Sequence, residues 1–505
     1  MPSLIERYAT KIFGVLRCFD RILISGTLPG LCYADGMASY LRSKGIKLFD
    51  FPRFAEPLRD EIRENAERIA KEAGIVIEFI RTKASFRKED RVQKILSDRG
   101  YAPGLVHIFS AMEACPSFVG WTDKATGKTS LRGRDGKCLH YYFYFFSEEF
   151  GLCYLRVPTW APFRLQFYCN GHNWLAGQMS KQNIAFKQCD NTFLQIADIN
   201  RAQELADSFP VERLHRYLDE IAERLCPVLR HFEQHYHWGI MQVEYSTDIM
   251  FRRQQDLRPL YDTLVRTAVT AVKPDNVATF LGRKLDPQYK DELGNDFHTR
   301  IEGTRLKHHM GPVAIKLYDK NALVMRIETT VNDVSFFKHH RKVEHRDGTT
   351  DTRLAVMRKT IHSLSLLREI LAAANGRYID FLSELVDPSA GITRVEKIAE
   401  PVRKDDRTYR GFNLFARPDQ DLFVVLARGE FHITGFQNRS LRKHLGNCTA
   451  AQVSRIIKRL RLHGLIKQVR HAYKYYLTTV GQSAVLTALK LKELVVIPSL
   501  AGVAA

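Results

Sequence analysis

Hydrophobic and polar positions alternate most clearly between Val313 and Asp333, where the chain reads VAIKLYDKNALVMRIETTVND. Val313, Ile315, Leu317, Met325 and Ile327 share one parity, and Lys316, Tyr318, Arg326, Glu328 and Thr330 the other, either side of Asp319-Lys320-Asn321. A period of two predicts a β-hairpin over 313–331, with one apolar face and one bearing a lysine, a tyrosine, an arginine and a glutamate. WGIMQVEYSTDIMF alternates in the same way and puts Glu244 and Asp248 on one face of a strand.

The remaining pattern predicts an α+β multidomain chain. In residues 1–205, KIFGVLRCFDRILISGTL reads as apolar strands with a turn at Phe19-Asp20-Arg21, and FAEPLRDEIRENAERIAKEAG as a helix from Leu58, Ile62, Ala66 and Ile69. GLVHIFSAM is a buried strand; CLHYYFYFF, LCYLRVP and FRLQFYCN form a meander; HNWLAGQMSKQNIA and INRAQELADSF are helices. Residues 211–385 form a second α+β domain: VERLHRYLDEIAERLCPVLRHF is a helix broken near Pro227, and RLAVMRKTIHSLSLLREILAAAN a long helix ended by Asn375-Gly376. Residues 386–420, with their Pro, Gly and charged positions, read as an extended linker before a C-terminal module over 421–495.

Charge changes the picture of that module. The chain of 505 residues carries a net charge of +20, and Phe431–Lys492 holds twelve Lys or Arg and no Asp or Glu. Such a concentration predicts a polyanionic partner, nucleic acid first. Within it, Thr449 caps the helix AAQVSRIIKRLRLHG, which puts Val453, Ile456, Ile457 and Leu460 on one face. LIKQVR and YKYYLT then read as two strands and VGQSAVLTALKLKE as a closing helix. This order, with the phrase RLRLHGLIKQVRHAYKYYLTTVGQ, resembles the winged helix-turn-helix family. The resemblance implies duplex DNA as partner, with Gln452, Ser454, Arg455, Lys458, Arg459 and Arg461 on the groove-facing helix and Arg470, His471 and Lys474 in the wing.

The front of the chain offers candidate chemistry. Glu244, Asp248 and Glu328 could converge to hold Mg²⁺, with Tyr318 as a nucleophile and Lys316, Arg326, Arg305 and Lys307 against a nucleic-acid backbone. KLYDK followed by RIE is similar to a phrase in replication-initiator proteins of plasmids and phages, which implies a metal-dependent nickase related in role to transposases of mobile elements. That similarity spans some fifteen of 505 residues. Cross-strand ion pairs on a solvated face explain the same residues without function. Asp20 is a further candidate acid, in the manner of the first strand of ribonuclease H-type nucleases, though the turn explains it too. Aromatic residues on both parities of CLHYYFYFF require both sheet faces to be covered, by helices or by stacked bases of single-stranded DNA or RNA.

Other classes fall away. No P-loop, GxGxxG before a helix, GxSxG or HExxH occurs, so no nucleotide cofactor is expected. Nine scattered cysteines without a CxxC pair, no apolar run of bilayer length and no signal-peptide pattern predict a cytoplasmic protein without a membrane partner. A homodimer is compatible with the sequence. The expectation is a DNA-processing enzyme of a mobile or replicating element; the alternative is a non-enzymatic regulator or RNA-binding protein.

Overall fold

The structure, a computed structural model, describes residues 3–81, 87–283, 292–300, 303–345, 347–386, 389–446, 448–469 and 473–500. It divides into two compact units, Met1–Val386 and Asp387–Ala505. The fold is mixed α+β. Among the described residues, no helix is long and apolar enough to cross a membrane.

The first unit is built on strands β1 (Ile12–Thr27), β2 (Glu78–Ile80), β3 (Gly104–Thr122), β4 (Thr129–Ser147), β5 (Gly151–Pro158), β6 (Leu165–Asn170), β7 (Phe186–Cys189), β8 (Thr192–Ile196), β9 (His237–Phe251), β10 (Leu293–Arg300), β11 (Gly303–Met310), β12 (Val313–Lys320) and β13 (Val324–Val331). Eleven of them form one sheet in the order β10-β11-β12-β13-β9-β1-β6-β5-β4-β3-β2, while β7 and β8 make a separate hairpin. The boundary expected near 205–211 is therefore not a domain boundary. β9 lies after it in sequence yet pairs with β1 along most of both strands, so the two halves share one sheet and one core.

The sequence forms the 313–331 hairpin as its alternation requires. Lys316 stands opposite Glu328 and Tyr318 opposite Arg326. Asn321 and Ala322, at φ 56° and 55°, make the left-handed turn that matches strand twist. Helices cover both faces of this part of the sheet. On the odd-numbered face, Asn375 of helix Leu364–Val386 bonds Thr329 Oγ1 and donates to the Tyr245 carbonyl. Helix Gly171–Lys181 crosses the even-numbered face, its first residue so close to β1 that a Cβ on Gly171 would lie 2.2 Å from the Phe19 carbonyl oxygen. The aromatic run on β4 is likewise covered on both faces: Tyr141, Phe143 and Phe145 join the main core, and Tyr142 and Tyr144 pack with Val92 and Leu96 of helix Lys88–Asp98.

Two expected elements differ. The helix predicted from Arg353 begins only at Leu364 and runs on through Asn375-Gly376 to Val386. Residues 353–356 instead belong to β15 (Thr350–Val356), paired with β14 (Lys338–Glu344) in an exposed hairpin. Asn375 does not stop the helix because its amide is spent on the sheet beneath it.

The second unit opens not with an extended linker but with helix Ser389–Ala399 and a small hairpin of β16 (Val402–Lys404) and β17 (Arg407–Tyr409). Ile398 and Phe412 lie in its core with Leu422, Phe423 and Leu426 of helix Arg417–Leu426. Helices Asn438–His444 and Ala450–Leu462, strands β18 (Ile466–Gln468) and β19 (Tyr475–Leu477), and helix Thr479–Leu491 complete it.

Candidate metal centre

A layer of buried charge lies across the even-numbered face of β12, β13, β9 and β1. Glu244 and Asp248 project from β9, Glu328 and Arg326 from β13, and Lys316 and Tyr318 from β12. Asp20 arrives from β1 through a bulge: three steps from Phe19 to Ile22 match two from Tyr245 to Val243. The extra residue re-aims the strand, as bulges do beside functional sites. Phe19-Asp20-Arg21 is thus part of a continuous strand and not a hairpin turn.

The structure regroups the predicted acids. Carboxylate oxygens of Asp20, Glu244 and Glu328 lie within 4.8 Å of one another. Asp248 is not among them. Its Oδ1 and Oδ2 accept Arg326 Nε and Nη2, both at 2.7 Å, which consumes the carboxylate in a two-point ion pair. Glu244 and Asp248 do share a face, but four residues of strand separate their Cα atoms by roughly 13 Å. Arg326, expected against a phosphate backbone, is 0% exposed and also bonds Asp20 Oδ2 and the Asn191 carbonyl. It fixes the acids and cannot reach a polymer.

The neighbours of the three acids come from distant segments. Asp20 accepts from Asn170 at the end of β6 and from Asn191 between β7 and β8. His172, in the first turn of helix Gly171–Lys181, stands between Asp20 Oδ1 at 3.4 Å and Asp248 Oδ2 at 3.6 Å. Lys316 Nζ bridges Glu244 Oε1 at 3.0 Å and Glu328 Oε1 at 2.7 Å, and Tyr318 donates to Glu328 Oε2 at 2.5 Å. The open-faced alternative is therefore only half right: the cross-strand pairs exist, but in a buried layer.

Electrostatics divide the acids into two kinds. Burial alone would raise Asp20 and Asp248, but Arg326, with His172 beside it, holds both below the ordinary carboxylate range. Burial works against a charged His172, yet its contacts to Asp20 and Asp248 raise it overall. Glu328 goes the other way: burial lifts it, Glu244 adds to that, and Lys316 offsets only part. Burial and then Glu328 raise Tyr318 well above the ordinary phenol. Asp20, Asp248, Glu244 and Glu328 are in direct ion-pair contact with Arg326, Lys316 and, when protonated, His172.

The donor set suits a hard divalent ion. Carboxylate oxygens favour Mg²⁺, Mn²⁺ or Ca²⁺ over softer metals. Opposed ligands lie about 4.2 Å apart around Mg²⁺ and about 4.8 Å around Ca²⁺, and the three carboxylate oxygens all lie within 4.8 Å of one another, a separation one such ion can span. Lys307 stands opposite Lys316 on β11, with Arg305 two residues away on the same face, so two of the predicted backbone cations flank the acids. The other group of potential ligands among the described residues, Glu212, His215 and His362, is largely exposed, and Glu212 pairs with His362 at 3.0 Å. His235 and His237 are exposed either side of a buried Tyr236 and join no such group.

In the second unit the residues predicted for DNA divide as well. Arg459 is buried against Asp419 through bonds of 2.8 and 3.1 Å, over the Phe412 ring, and is structural. Gln452, Ser454, Arg455, Lys458 and Arg461 are exposed on the same helix, and Lys474 is half-buried after β18. Gln452 also closes a capping box with Thr449, and Lys458 reaches Asp405 at 3.2 Å. Arg470 and His471 lie outside the described residues. No protein-family model matches the chain, and no curated protein matches it significantly.

Proposed function

We propose that this chain is a divalent-metal-dependent enzyme that cuts or transfers nucleic-acid strands, with Asp20, Glu244 and Glu328 as the metal ligands. One observation carries the reading: carboxylates from three strands meet within 4.8 Å of one another in a largely buried layer. An ion bound there would polarise a phosphate oxygen and offset charge in the transition state. Lys316, Lys307 and Arg305 supply positive charge on the same face.

Tyr318 supplies the nucleophile in this reading. Its hydroxyl oxygen lies 2.5 Å from Glu328 Oε2, and because burial keeps the phenol protonated, attack on phosphorus requires transfer of its proton to the carboxylate. The new O–P bond would replace the bond to one nucleoside oxygen, which leaves as a hydroxyl after protonation, and the chain would keep a phosphotyrosyl link. Water as nucleophile gives the same cut without the link.

The second unit supports delivery to duplex DNA. Helix Asn438–His444, helix Ala450–Leu462 and the β18–β19 pair follow the order of a winged helix-turn-helix, with Arg455, Lys458 and Arg461 outward. The test is incubation of the protein with end-labelled duplex and single-stranded oligonucleotides in Mg²⁺ or Mn²⁺. Cleavage abolished by Glu328→Gln, with a detergent-stable adduct abolished by Tyr318→Phe, is the expected result. Binding with neither cut nor adduct on any substrate would favour the non-enzymatic regulator.

A further inference from the structure

A second site lies away from the acid cluster, between the β3–β4 hairpin and the start of helix Phe51–Glu72. It is a cleft of about 530 Å³, within the roughly 300–1,000 Å³ of small-molecule sites. Arg59 and Arg63, one helical turn apart, line one wall, and Arg134 and Lys137 of β4 another. No carboxylate lines it among the described residues. Arg59 is held by Asp60 at 2.8 Å, whereas among the described residues no acid lies within ion-pair distance of Arg63, Arg134 or Lys137. Arg63, Arg134 and Lys137 around one cleft repel each other, and an anion placed among them relieves that repulsion.

The floor and lip are aromatic. Trp160 reaches the cleft with its Nε1 donating to Ser117, so its ring orientation is fixed. Phe49 is 58% exposed at the rim, so its ring is open to solvent beside the cleft. It is placed there by Gly120: a Cβ at that residue would come within 2.8 Å of the Phe49 ring. The strand therefore has a glycine where the exposed ring needs room. Cations for phosphate and ring faces for bases are the two halves of single-strand recognition.

We propose that this cleft binds a nucleotide unit of single-stranded nucleic acid, stacking a base on Phe49 and Trp160 and pairing phosphates with Arg63, Arg134 and Lys137. The assignment goes beyond the metal reading and does not depend on it. It is tested on the full chain in EDTA, by fluorescence anisotropy with a labelled oligothymidylate of about 12 nucleotides. Arg63→Glu with Arg134→Glu should weaken binding at least about tenfold, and Phe49→Ala about fivefold or more. Both changes are on exposed side chains, and unchanged circular dichroism and melting temperature check the fold. Unchanged oligonucleotide affinity in the folded double variant would overturn the proposal. Thymidine monophosphate that displaces the strand at equal concentration would overturn the strand as ligand and leave a free-nucleotide site. Mn²⁺ binding at the acid cluster stays intact in these variants, so failure of one site is distinguishable from failure of the other.

Discussion

Arg326 and Glu328 are two residues apart on one face of one strand, yet their burial has opposite consequences. Arg326 is fully enclosed and answered by Asp248 and Asp20. Removing it strands two carboxylates, so Arg326→Met should cost about 3–5 kcal/mol in urea unfolding; a loss below about 1 kcal/mol would contradict the paired account. Burial and Glu244 make the charged form of Glu328 costly, so Glu328→Gln in EDTA should leave stability unchanged or higher. A clear loss would show that Lys316 needs Glu328 more than the layer suffers from it. The histidine gives a pH signature. His172 is raised in the folded state, so its stabilisation is fully present below the unfolded value of about 6.5 and is lost as pH rises through the raised one. Urea titrations across that window should show the loss, and His172→Gln should remove it. Asp20 and Asp248, both depressed, contribute stability present above about pH 3.9 and lost only at stronger acidity.

At the scale of elements, what alternation specifies was legible and what depends on remote pairing was not. The 313–331 hairpin, the meander from β4 to β6 and the broken helix before Pro227 follow from local periodicity and breakers. Asp20 was visible only as an acid in an apolar strand, because a bulge is a property of the pairing with β9. Its partners Asn170 and His172 lie at the end of a predicted strand and the start of a predicted helix, and Asn191 falls in no predicted element, since nothing local says that these amides and ring face a carboxylate some 150 residues away. Asp248 was misassigned for the same reason: parity gave its face but not its claim by Arg326. Helix Ala450–Leu462 repeats the lesson, since Arg459 has the charge of a DNA contact and the burial of a core ion pair. Arg455→Ala with Lys458→Ala should therefore weaken duplex binding and shallow its log–log salt slope by about two, with unfolding unchanged. Arg459→Met should instead lower the melting temperature. An unchanged slope in the double variant would take this helix off the DNA.

The whole chain combines a basic, acid-poor stretch near its end with a long sheet whose middle holds acids. A net charge of +20 draws polyanions at low salt whatever the chemistry, so nucleic-acid binding alone does not test the central claim. Metal binding does. Titration of the full chain with Mn²⁺, followed by the electron paramagnetic resonance of the free ion, reads the acid cluster without nucleic acid. The wild-type chain should remove one Mn²⁺ with an affinity that rises with pH, because Glu328 must lose its raised proton, and Glu328→Gln should remove none. Equal uptake by both proteins, or uptake by neither, would contradict a metal held by Asp20, Glu244 and Glu328.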